Sequence, residues 1–156
     1  AVVALLAYNM DKGQRHVQIT KTKKKQDYAQ FIAWVMDTYY KNTRSIQLIQ
    51  DNLNTHTKGS FYLNTSPQQA RQYTKKLHFH FTPKHGSWLN MAEIEFSALA
   101  RQCLNRRFDS VNTLVKEVKA WEVERNQRAV KIHWSFTIDK AQEKLARHYC
   151  NVFNNY

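Results

Sequence analysis

The chain has 156 residues, 42% of them hydrophobic and 13% aromatic, which is one domain's length with enough apolar material for a core. Twenty-four Lys and Arg against twelve Asp and Glu give a net charge of +12, which favours a polyanionic partner. Three Gly and two Pro exclude collagen-like and low-complexity chains, two distant Cys exclude a disulfide framework, and no apolar run is long enough to span a membrane.

The sequence opens inside an apolar run, AVVALLAY, without Met, and reads as part of a longer polypeptide. Such a run is the pattern of a strand buried on both faces. After a turn at Gly13, HVQIT predicts a second strand and hence an antiparallel hairpin, followed by the basic run KTKKK. Between Gln26 and Lys41, Tyr28, Phe31, Ile32, Val35, Met36 and Tyr39 recur at helical spacing. SIQLIQ predicts a strand ending at Asp51, and short helices are expected around Phe61–Asn64 and Pro67–Lys75. LHFHF alternates strictly and predicts another strand. Helices are then expected over Trp88–Arg106, over Val111–Trp121 with Asp109 or Ser110 as cap, and after Thr137. Strands alternating with helices, then a helical tail, indicate a layered α/β domain.

Most carboxylates have ordinary explanations. Asp27, Asp37, Glu117, Glu122, Glu124 and Glu143 fall on helices among basic residues, as solvated faces do; Asp11 falls in the hairpin turn, and Asp109 and Asp139 near helix starts. Asp51, Glu93 and Glu95 stand apart. Asp51 follows an apolar strand, where ligands gather in α/β sheets, although on turn preferences alone an Asx turn or a helix cap is the more ordinary explanation. Asn90-x-x-Glu93 is close to a capping box, and helical geometry puts Glu93 and Glu95 about 160° apart on opposite borders of the apolar stripe. That pattern leaves the choice between them open. His78 and His80 share a strand face, but no Cys and no His-Glu-x-x-His accompanies them to argue for zinc. Ser60, Ser66 and Ser87 lack the glycines of a nucleophile elbow.

The segments QDNLNTHTKGSFY, HFHFTPKHGSWLNMAEIEFSALARQCLNRRF, AWEVERN and KIHWSFTIDKAQEKLARHY together resemble the DDE endonuclease domain of bacterial insertion-sequence transposases of the mariner-like superfamily. The resemblance spans Ala1 to about Tyr149. It implies a ribonuclease-H-like α/β fold, a mixed sheet flanked by helices with a helical C-terminal region. It implies metal-dependent DNA cleavage and strand transfer by three carboxylates and two Mg²⁺ (or Mn²⁺) ions. Asp51 matches the second catalytic Asp and Glu93 the catalytic Glu, both as metal ligands, which decides against Glu95. Asn52, His56, Pro83, Lys84, His85, Ser87, Trp88 and Asn90 match the surrounding motif, as site-shaping or DNA-contacting residues. Arg106 and Arg107 are expected on the DNA backbone, with Lys116 and Lys119 as further contacts.

The family's first catalytic Asp lies on a strand that precedes the opening hairpin, and no acidic residue of this sequence takes its place. The chain is therefore expected to correspond to the C-terminal part of a transposase, lacking the fold's first strand and inactive alone; a non-catalytic DNA-binding or assembly remnant is the alternative. The resemblance implies DNA as partner, leaves a homodimer open, involves no membrane, and places the protein in the bacterial cytoplasm at the nucleoid.

Overall fold

The computed structural model describes residues 1–83, 86, 89–135, 137–140, 142, 143 and 146. Strands β1 (Val3–Asn9) and β2 (Gln14–Thr20) form an antiparallel hairpin in which Leu6 faces Val17 and Ala7 faces His16. Helix α1 (Lys25–Tyr39) leads to β3 (Ile46–Gln50). A 3₁₀ helix (Lys58–Leu63) and α2 (Pro67–Lys76) then lead to β4 (Leu77–Phe81), which pairs parallel to β3 with Ile46 opposite Leu77. Helix α3 (Met91–Leu99) continues into a π-helical turn (Ala100–Leu104), and α4 (Val111–Gln127) follows.

Local chemistry accounts for the element ends. Ser66 and Ser110 accept from the amides of Gln69 and Thr113, capping α2 and α4. Pro67 sits in the first turn of α2, where its missing N–H costs nothing. Asp27, expected on a solvated face, instead accepts from the Lys24 amide at 2.7 Å and from the Thr22 hydroxyl at the start of α1. Those hydrogen bonds hold its carboxyl below the usual aspartate pKa. In the β1–β2 turn, Gly13 has φ of +63°, the left-handed region glycine enters without strain. Thr137 accepts from the Lys140 amide as the expected cap, and most residues of the helix expected beyond it lie outside those described.

Period-two alternation gives the hairpin two working faces. Leu5 and Ala7 pack with Phe31, Ile32, Val35 and Met36 of α1, in a core that also takes Phe61, Ala70 and Leu77. Leu6, Val17 and Ile19 turn to the opposite side, against Ala98, Leu99, Cys103, Val118 and Trp121. Helices therefore cover both faces of the hairpin, and the fold is mixed α/β as expected.

Two expectations need correction. The hydrogen-bonded strands form two separate pairs, β1–β2 and β3–β4, rather than one continuous sheet. Every residue of β1 is only partly buried, although its apolar run predicts full burial, because one edge of β1 has no strand beside it among the described residues.

Candidate active site

Asp51 is the first residue beyond β3. The Thr82 amide donates to the Gln50 carbonyl at 2.9 Å, so the parallel ladder runs to the foot of Asp51. No described helix starts at Asp51, and its Oδ1 lies 2.6 Å from His56 Nδ1. The helix-cap reading is thus not realised. Gln50 is buried and holds the loop from below: its Oε1 accepts from the Tyr28 hydroxyl at 2.6 Å, and its Nε2 donates to the His56 carbonyl at 2.8 Å. The Tyr28 ring stacks on the His56 imidazole with centroids 4.5 Å apart, and burial pushes the Tyr28 phenol well above its ordinary pKa. Tyr28 and Gln50 had no functional signal in the sequence. One reads as an apolar-stripe residue, the other as a strand end.

Asn90 caps α3 by accepting from the Ala92 amide at 3.1 Å, and Glu93 stands exposed in the first turn. Glu95, on the other border of the helix, is fully buried. Arg15 Nε lies 2.9 Å from its Oε2, and Arg125 donates to its Oε1 at 3.0 Å. Glu93 is free to meet a ligand; Glu95 is consumed by structure. Asp51, His56, Asn90 and Glu93 all line one cavity of about 1150 Å³ that also runs along β1 and β3.

The segment AWEVERN acts in this clamp. Asn126 accepts from the Arg15 amide at 2.8 Å and donates to the Arg15 carbonyl at 2.7 Å. Arg15 itself donates to the Val130 carbonyl at 2.6 Å. Burial draws the Arg15 pKa below its ordinary value while Glu95 opposes that fall. Glu122 is buried, not solvated as expected, because its Oε2 takes the Val17 amide at 3.0 Å while Oε1 takes Lys119 at 2.6 Å. Trp121 and Arg125 both donate to Gln102 on the π-helical turn. Through these contacts α4 fixes β2 and α3 together, and with α3 the start from which Glu93 projects.

The other expected residues divide. Asn52 is exposed and does not line the cavity, whereas Lys84, His85, Ser87 and Trp88 lie outside the described residues. Arg106 and Arg107 border a separate cleft of about 180 Å³. Arg106 is paired with Glu117 and lies over the Phe108 ring, and Lys119 is paired with Glu122.

The sequence from residue 1 to residue 115 matches the DDE superfamily endonuclease family. The chain belongs to that family. Neither the comparison with curated proteins nor that with solved structures gave a match. Membership points to a transposase-like nuclease function at family level, with DNA as the substrate class the family implies.

DDE enzymes generally use divalent metal ions. In this domain Asp51 and Glu93 offer hard oxygen donors on a shared cavity, and one or two carboxylates with water suffice for a Mg²⁺ ion. Among the described residues, no three His, Cys, Asp or Glu side chains gather as a metal site.

Proposed function

We propose that this DDE domain belongs to a DNA transposase and carries two of its catalytic carboxylates, Asp51 and Glu93, for phosphodiester cleavage and strand transfer. The observation that carries the reading is that both residues fall inside the family match and open onto one cavity, while the competing Glu95 is sealed in an ion-pair network. Asp51 and Glu93 would hold Mg²⁺ or Mn²⁺. When bound, such an ion stabilises charge on the attacking and leaving oxygens of a phosphodiester. His56 is a positioning residue: its ring stacks on Tyr28, its main-chain carbonyl is held by Gln50, and its Nδ1 orients the Asp51 carboxylate. The basic surface, with 24 Lys and Arg, raises the local concentration of DNA, and Arg107 and Lys116 are exposed for backbone contact.

A second reading, a DNA-binding or assembly module without catalysis of its own, is favoured by one observation: no third carboxylate joins the first two among the described residues. Mn²⁺ titration by calorimetry on the chain and on its Asp51→Ala and Glu93→Ala variants tests the site directly. Binding that either substitution abolishes, with DNA affinity by anisotropy unchanged, supports the carboxylate assignment. Binding that survives both substitutions refutes it. Salt-sensitive DNA binding with no metal binding at all selects the second reading.

A further inference from the structure

A file of aromatic rings runs from the core to the surface. Tyr28 and Phe61 pack edge to face with centroids 6.1 Å apart, and Phe61 and Phe79 do the same at 6.4 Å. Phe79 and Phe81 then lie nearly parallel, 6.5 Å apart at 21°. The file opens at its last ring: Phe61 is 1% exposed and Phe81 47%. Phe81 lines neither the large cavity nor the cleft at Arg106. Its place is set by the candidate site. Phe81 is the register partner of Gln50, and alternation puts both side chains on the α1 side of the strand pair with Leu48 and Phe79. Asp51 is the next residue. With strands about 4.8 Å apart and a rise of about 3.3 Å, the α-carbons of Phe81 and Asp51 are roughly 6 Å apart. That is within two nucleotides of a DNA strand, at about 3.4 Å each.

Single exposed apolar residues are ordinary on protein surfaces. Phe81 differs in being braced by a ring on its own strand and in standing beside a cation. Exposed Lys58 holds its ammonium 5.5 Å from the Phe79 centroid. A braced ring at the surface, with no cavity around it, offers a flat face and selects a flat ligand. Nucleobases supply one, since every base has a π-face and stacks on aromatic side chains. Inside a duplex those faces are taken by neighbouring bases, so only an unpaired base can use the ring. The net charge of +12 draws nucleic acid to this surface rather than an apolar peptide.

We propose that Phe81 is a stacking platform for an unpaired base of the DNA substrate, close beside Asp51, with Lys58 positioned for the adjoining phosphate. The platform favours strand ends and opened duplex over intact duplex, a preference that carboxylates and surface lysines do not supply. The inference rests on the reading of DNA as substrate and of Asp51 as the mark of the site. The stacking itself needs neither metal nor catalysis.

Fluorescence anisotropy in EDTA tests it, on a short DNA duplex that is either blunt or carries a three-nucleotide overhang containing 2-aminopurine. The chain should bind the overhang duplex about tenfold tighter than the blunt one and quench the 2-aminopurine emission. Phe81→Ala should remove both the preference and the quenching, and Phe81→Tyr should keep both. Neither variant should change affinity for the blunt duplex or the circular dichroism spectrum. The loss in Phe81→Ala should be equal at low and high salt, because a ring neutralises no phosphate, whereas Lys58→Ala should lower the salt slope by about 0.7. Equal affinity for the two duplexes, a preference that survives Phe81→Ala, its loss in Phe81→Tyr as well, or an equal loss on the blunt duplex each overturn the proposal. A concentration-dependent dimer in sedimentation that Phe81→Ala abolishes would make a second copy the occupant and overturn it likewise. Because EDTA removes metal, a failed Mn²⁺ titration leaves this result standing, and a missing preference leaves the carboxylate assignment standing.

Discussion

Replacing Glu95 by Ala tests the clamp that sets α3. Its carboxylate is the shared acceptor of two arginines: Arg15 Nε at 2.9 Å from Oε2, and Arg125 donating to Oε1 at 3.0 Å. The Arg15 side chain is 0% exposed and that of Arg125 15%, so neither can turn fully to water when the carboxylate goes. Arg15 would keep the Val130 carbonyl at 2.6 Å and a long contact to Asn126 at 3.4 Å, which leave its Nε and its charge without a partner. Removing one partner of a buried pair costs about 3–5 kcal/mol, because a charge stays behind in low dielectric. At this chain length each kcal/mol lowers the melting temperature by about 2–4 °C, so a fall of roughly 6–20 °C is expected. Urea and thermal unfolding followed by circular dichroism measure it, with the exposed Glu93→Ala as a control that should stay within about 0.5 kcal/mol. A Glu95→Ala loss under about 1 kcal/mol at unchanged urea dependence would refute the reasoning. It would mean that water reaches Arg15 or that Asn126 and Val130 carry the clamp.

Two further predictions concern stability. His16 is buried, stacked on Tyr39 at 3.8 Å, and its pKa is pushed down to about 4 by burial, then by Lys119 and Arg15. The unfolded chain binds that proton near pH 6.5, so stability is complete above 6.5 and is lost as pH falls toward 4, by up to about 3 kcal/mol less the screening of Lys119. His16→Gln should flatten this part of the stability-versus-pH curve, and an unchanged slope from pH 6.5 to 4 would contradict it. Gly13→Ala should cost about 1–2 kcal/mol for the left-handed conformation alone. The added Cβ would also meet the Ala129 carbonyl oxygen at 2.7 Å. A melting temperature equal to that of the parent would show that the turn and the segment after α4 can shift apart.

What could be read from the sequence was local. The α1 stripe of Tyr28, Phe31, Ile32, Val35 and Met36 is buried as its spacing predicts, because one helix face meets one core. β4 keeps Leu77 inside and His78 and His80 outside, as strict alternation requires, and Pro67 and Ser110 mark the helix starts expected of them. What escaped was set by partners far along the chain. Periodicity put Glu93 and Glu95 on equal borders of one helix; Arg15, 80 residues upstream, and Arg125, 30 residues downstream, decide that Glu95 is inside. Glu122 looked like one more charge on a solvated helix until Val17, 105 residues away, offered it an amide. The apolar run of β1 packs on two sides, with Leu5 and Ala7 turned one way and Leu6 the other, but its residues stay only partly buried, because composition says nothing of whether a strand lies alongside. Likewise Asp51 stood out by its place at a strand end, while Tyr28 and Gln50, which hold its loop, carry no mark that separates them from ordinary core and strand residues.

The two hydrogen bonds between the Arg15 main chain and Asn126 cross 111 residues of sequence. On a ribosome adding about 5–20 residues per second, that separation corresponds to roughly 5–20 s of synthesis. For most of that interval the hairpin can pair with itself and lean on α1, while Arg15 has neither Glu95, 80 residues on, nor Asn126 and Val130 to meet. The half of the domain built around α1 can therefore take shape early, and the half built around Trp121 must wait for α4 to emerge. A nascent chain stalled before residue 120 would carry an unpartnered arginine and an uncovered apolar face at once, which is the state a chaperone binds.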